Sequence, residues 1–92
     1  MIRHIVFWKF RPDADPEPFL QALSALPEQI DWIRGMHVAR SAAPNAAWDA
    51  ALEVDFDTLE DVARYRDDPR HKKASALCKS IRTDRVSIDI PL

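Results

Sequence analysis

Apolar positions in this chain follow two rhythms. From residue 1 to residue 10 they alternate. Ile2, His4, Val6, Trp8 and Phe10 share one face of an extended segment, and Arg3, Ile5, Phe7 and Lys9 share the other. Both faces are apolar at their centres, which predicts a strand in the middle of a sheet covered on two sides. Pro12 and Pro16 end it, because neither can donate to a ladder. Asp15-Pro16 then predicts a helix start, with Asp as the cap and Pro as the first helical residue. Phe19, Leu20, Leu23 and Leu26 recur at helical spacing, and Pro27 breaks or bends that helix.

The alternation returns at 33–41, where Met36, Val38 and Arg40 oppose Gly35, His37, Ala39 and Ser41. Pro44-Asn45 marks a turn. Residues 48–56 predict a third strand, with Trp48, Ala50, Leu52, Val54 and Phe56 on one face and Asp49, Glu53 and Asp55 on the other. Asp57-Thr58-Leu59-Glu60 predicts a capping box with Asp57 as the cap. Leu59, Val62, Ala63 and Tyr65 line the helix that follows. Asp68-Pro69 starts another, with Ala74, Leu77, Cys78 and Ile81 inward. Residues 82–90 predict the last strand, where Val86, Ile88 and Ile90 alternate with Ser87 and Asp89.

The element order βαββαβ predicts one domain over residues 1–92. It is an α+β, ferredoxin-like sandwich in which a four-stranded antiparallel sheet carries helices on one face only. Val6, Trp8 and Phe10 are then expected on the face the helices leave bare. A large apolar sheet face is not left in water, so the sequence predicts a two-fold homodimer packed sheet to sheet. A core built from 92 residues also gains from that pairing.

Composition narrows the partners. A formal net charge of −2 and scattered Lys and Arg give no bulk attraction to nucleic acid. No apolar run approaches the length needed to cross a membrane. Met1 runs straight into the first strand, which predicts no secretory leader, and the single cysteine, Cys78, predicts a reducing, cytoplasmic setting. The three histidines and one cysteine show neither i, i+3 nor i, i+4 spacing, so no metal site is expected. One glycine rules out a phosphate-binding loop or a dinucleotide fingerprint.

Three stretches carry a family pattern: Ile2-Arg3-His4-Ile5-Val6-Phe7-Trp8-Lys9-Phe10, Leu52-Glu53-Val54-Asp55-Phe56, and Tyr65-Arg66-Asp67-Asp68-Pro69-Arg70-His71. In this order the chain resembles the stress-responsive dimeric α/β-barrel (Dabb) family, from Ile2 to Ile90. The resemblance implies a ferredoxin-like protomer whose dimer closes into a barrel. It also implies the chemistry of a plant member, olivetolic acid cyclase, which closes a linear polyketide thioester into an aromatic acid by an aldol-type step without cofactor. The motif histidines and tyrosine of that member fall on His4, Tyr65 and His71. Plant members carry Gly-Tyr-Thr-His entering the third strand, whereas this chain has Ala47-Trp48-Asp49-Ala50, so the resemblance implies a different substrate.

The candidate chemistry is general base catalysis beside a carbonyl. His71 comes two residues after the helix-opening Pro69, where the helix dipole disfavours a positive charge and keeps the imidazole neutral. Tyr65 is the candidate oxyanion donor, and His4, pointing into a sheet-side cavity, the supporting polar group. Trp8 and Trp48 are candidate pocket walls for a small apolar or aromatic ligand. Each has a plainer alternative: His71 as a surface residue between Arg70 and Lys72, Tyr65 and the tryptophans as core, His4 as a buried hydrogen-bonding residue. Three functions therefore stand at this point. They are a cofactor-free cyclase or isomerase acting on a small aromatic or polyketide-like carbonyl compound, a non-catalytic stress-response or ligand-binding protein, and a structural dimer with a filled barrel.

Overall fold

In the computed structural model, which describes residues 1–92, strand β1 (Ile2–Phe10) hydrogen-bonds along both edges. β3 (Ala50–Phe56) pairs with it on one side and β4 (Arg82–Pro91) on the other. β2 (Gly35–Arg40) extends the sheet beyond β3, giving the order β2-β3-β1-β4 with every neighbouring pair antiparallel. Four helices, α1 (Glu17–Ser24), α2 (Leu26–Gln29), α3 (Leu59–Asp67) and α4 (Pro69–Lys79), cover one face. This is the ferredoxin-like α+β arrangement that the element order predicts.

The helices cover the opposite face of β1 from the one expected. Val6, Trp8 and Phe10 are buried beneath them, and Phe19 of α1 meets Trp8 edge-on at 5.0 Å between ring centroids. Such a contact adds about 0.5–1.5 kcal/mol to the burial itself. The reason is area: the even-numbered face of β1 carries more apolar surface than Ile5 and Phe7 provide, so covering it removes more from water. The bare face belongs to the odd-numbered residues instead. Phe7 stands opposite Val86 and Ile5 opposite Ile88, and Phe7, Val86 and Ile88 are 40%, 46% and 58% exposed.

Local chemistry accounts for the helix ends. Asp15 accepts from the backbone N–H of Glu17 to open α1, and α1 gives way to α2 at Ala25, with Pro27 in the first turn of α2. Asp68 caps α4 by accepting from the N–H of Arg70 at 2.8 Å. The cap of α3 differs from the expected one: Thr58 accepts from the N–H of Asp61, because Asp57 is engaged by Arg34 at 3.0 Å. Leu59 and Leu77, expected inward, are 60% and 44% exposed, while Val62, Tyr65, Ala74 and Cys78 are buried.

The third strand starts two residues later than expected, and this moves Trp48. The β1–β3 ladder ends at Trp8 opposite Ala50, and Asp49 instead accepts from the N–H of Phe10 at 2.8 Å. Trp48 lies outside the alternation and turns to the bare face, 6.1 Å from Phe7. No helix is long and apolar enough to cross a membrane.

Candidate active site

The helices lie over β2 and β3 rather than over β4, which is left at the sheet edge. A cleft of about 410 Å³ opens there, between β4 and the junction of α3 with α4. His4, Tyr65, Arg66, His71, Arg82 and Arg85 line it. A smaller recess of about 40 Å³ continues inward past His4 and His71 to Trp8, Phe19 and Leu52.

Each candidate side chain is placed by its element. Even-numbered residues of β1 face the helices, so His4 points under them and is only 4% exposed. This corrects the expected direction, because the cavity it enters lies between sheet and helices. Asp89 stands directly opposite on β4, and His4 Nδ1–H donates to Asp89 Oδ1 at 2.6 Å. The second oxygen of Asp89 is 4.0 Å from the guanidinium of Arg66. A carboxylate can only accept, so the neutral His4 ring keeps its free lone pair on Nε2. Burial pushes the His4 imidazole below its ordinary value and outweighs the opposing pull of Asp89.

His71 is in the first turn of α4 and Tyr65 near the end of α3, where Asp68-Pro69 turns the chain between them. Their rings are 4.4 Å apart. His71 Nδ1–H donates to the carbonyl oxygen of Arg66 at 3.2 Å. A carbonyl oxygen cannot donate, so Nε2 of the neutral ring again holds the lone pair. The His71 imidazole also lies below its ordinary value. Burial is the leading cause, ahead of the nearby His4, Arg85 and Arg66, and it lowers the ring against the raising effect of the Arg66 carbonyl. The helix dipole invoked from the sequence is not needed for that direction.

Tyr65 is 1% exposed, and its hydroxyl has no hydrogen-bond partner. Burial raises its pKa, so the phenol stays protonated and can donate. An unpaired buried hydroxyl costs about 1–3 kcal/mol, a penalty that an acceptor entering the cleft would relieve.

The structure thus brings His4, Tyr65 and His71 to one cleft, with Trp8 at the inner end of its recess. It does not bring Trp48 there. Trp48 is on the other face of the sheet with Phe7 and His37, where the ammonium of Lys9 lies 5.5 Å from its ring. Asp89, Arg66, Arg82 and Arg85 went unselected in the sequence. For the three on β4 the signal is polar alternation alone, which names no partner until the register against β1 is known; Arg66, on α3, has only its place in the Tyr65–His71 stretch. No three His, Cys, Asp or Glu side chains stand close enough to hold a metal ion.

Fold and cleft together define a small ferredoxin-like α+β protein with a histidine-bearing cleft at the sheet edge. The chain belongs to the stress responsive A/B barrel domain (Dabb) family, whose model matches residues 2–92. A dimeric protein of unknown function with a ferredoxin-like fold from Bacteroides fragilis is 32% identical. The match covers 99% of this chain and 95% of that one, with a TM-score of 0.90. A dimeric ferredoxin-like protein of unknown function from Thermobifida fusca is 27% identical, covering 99% and 90%, with a TM-score of 0.86. The hydroxynitrile lyase of Passiflora edulis shares the fold at 14% identity, covering 99% and 87%, with a TM-score of 0.84. No curated protein matches the chain.

Proposed function

We propose that this protein is a homodimer, joined through its bare sheet faces, and that each cleft carries out proton transfer on a small aromatic or polyketide-like carbonyl compound. The observation that carries this reading is the convergence of two neutral imidazoles and a protonated, unpartnered phenol on one cleft. His71 Nε2 takes a proton from the carbon next to the carbonyl. The electron pair moves onto the carbonyl oxygen, which accepts a hydrogen bond from the Tyr65 hydroxyl. In an isomerisation the imidazolium returns the proton to another carbon. In an aldol-type closure the carbanion forms a C–C bond to a second carbonyl of the same molecule, and the new alkoxide takes the proton. His4, oriented by Asp89, supports the substrate or relays that proton. Side chains alone supply these steps.

The dimeric relatives and the exposed Phe7, Val86 and Ile88 support the sheet-to-sheet pairing. The hydroxynitrile lyase of P. edulis supports only the general point that this fold can house catalysis. Cys78, buried and unpaired, suits a reducing cytoplasmic compartment. A non-catalytic ligand-binding role rests on the same unpartnered Tyr65 hydroxyl, which needs an acceptor whether or not turnover follows.

The test is deuterium exchange at the α-carbon of a panel of small 1,3-dicarbonyl and aryl ketone compounds in D2O. Wild type accelerates exchange and His71→Ala abolishes it with unchanged circular dichroism. Exchange that persists in His71→Ala overturns the assignment of the base. Binding of the panel without exchange in wild type selects the ligand-binding role.

A further inference from the structure

The cleft holds more positive charge than the proton transfers require. Arg66, Arg82 and Arg85 all line it and no carboxylate does, Asp89 being engaged by His4 and 4.0 Å from Arg66. Neither Arg82 nor Arg85 has an acidic partner. That both face one side depends on an irregularity in the sheet. Trp8 stands opposite Arg85 and Lys9 opposite Asp84, but Phe10 stands opposite Arg82, so Thr83 is an extra residue in β4. In a regular strand, residues three apart face opposite sides. Arg85 faces the side of His4 through its regular register opposite Trp8, and the bulge brings Arg82 round to that side as well, the kind of re-aiming for which bulges recur beside active sites.

Like charges gathered without a counterion oppose one another. Partial burial, then Arg82 and Arg66, hold the Arg85 guanidinium below its ordinary value. Guanidinium groups are planar forks matched to carboxylate and phosphate oxygens. The recess they share with His4 and His71 has an apolar inner wall of Val6, Trp8, Phe19, Leu23 and Leu52.

We infer that the cleft takes an organic oxyanion, its charged group held by Arg82 and Arg85 and its apolar part turned toward the Trp8 recess. This rests on the reading of the cleft as a substrate site but not on turnover, so it can be tested by binding alone. The probes are benzoate, phenyl phosphate and benzamide, titrated into the full chain in low-salt buffer free of other oxyanions and followed by the backbone amide resonances of residues 82–89. Benzoate or phenyl phosphate is expected to bind at least tenfold tighter than benzamide. The tighter of the two anions tells a carboxylate from a phosphate ester. Arg82→Gln and Arg85→Gln, singly and together, are expected to remove that preference, while Arg85→Lys retains part of it. Arg11→Gln, at an exposed arginine outside the cleft, is expected to leave benzoate affinity within threefold, which separates loss of the anion site from loss of one positive charge. Equal affinity for benzoate, phenyl phosphate and benzamide in wild type overturns the inference. So does an anion preference that survives the double substitution.

Discussion

His4 and Asp89 are 85 residues apart in sequence and directly opposite each other across the β1–β4 pair, with 2.6 Å between His4 Nδ1 and Asp89 Oδ1. The strand pairing itself therefore fixes the tautomer of a buried imidazole and leaves Nε2 free. Asp89→Asn keeps the shape but removes the charge that favours the imidazolium. The His4 pKa is expected to move further below its ordinary value, read from the ring resonances in an NMR titration. A His4 titration unchanged by this substitution would show that Asp89 does not govern the ring. Stability is expected to fall by no more than about 1.5–3 kcal/mol, the scale of a hydrogen bond to a charged group.

Both cleft histidines are held below the ordinary imidazole value of 6.5. The unfolded chain, whose histidines titrate near that value, binds protons first as the pH drops. Their contribution to stability is therefore complete above pH 6.5 and is lost as the pH falls below it toward the folded-state values. Urea midpoints measured from pH 8 to pH 5 are expected to decline on the acid side, and the decline is expected to shrink in the His4→Gln, His71→Gln double variant. Any exchange activity has its acid limb in the same region, with an apparent pKa that belongs to the interacting pair. An acid limb above pH 6.5 is incompatible with a lowered imidazole acting as base.

Tyr65→Phe separates function from stability because the two are expected to move in opposite directions. Removing a buried hydroxyl that has no partner relieves a penalty of about 1–3 kcal/mol, so Tm rises by roughly 4–8 °C for each kcal/mol gained. Ligand affinity or exchange rate falls in the same variant, since the donor to the substrate oxygen is gone. A drop in Tm would mean that the hydroxyl already has a partner in the folded protein and is not waiting for a ligand.

Much of this architecture is legible in the sequence because it rests on local rules. The two-residue period of β1, the break before Pro27 and the Asp68 cap with Pro69 at the start of α4 each follow from neighbouring residues alone. What escapes the sequence is decided at long range. Both faces of β1 are apolar, so which one the helices cover depends on the summed area of the sheet. Asp57 is the better cap by type, but Arg34 engages it and Thr58 caps instead. Trp48 follows the β3 alternation on paper, yet the ladder stops at Ala50. The site divides in the same way: His4, Tyr65 and His71 stand out as motif residues. Asp89, Arg82 and Arg85 acquire meaning only from the register and bulge of β4 against β1.

Ile5, Phe7, Val86 and Ile88 form an apolar stripe across β1 and β4, and the hollow beside it is walled by Ala39, Ala51 and Trp48. In a two-fold dimer joined through this face, each substitution counts twice. Ile88→Lys replaces a side chain whose burial contributes about 1.5–3 kcal/mol, or roughly 3–6 kcal/mol per dimer. That weakens association by roughly 10²- to 10⁴-fold, before any repulsion between the two lysines is counted. Sedimentation equilibrium is expected to find wild type dimeric and the variant largely monomeric at micromolar concentration. The cleft lies on the opposite face of the sheet, so benzoate binding by the monomeric variant is expected to persist, weakened only as far as the protomer loosens without its partner. A variant that remains dimeric would move the interface off this face and leave Phe7 and Ile88 without a covering partner.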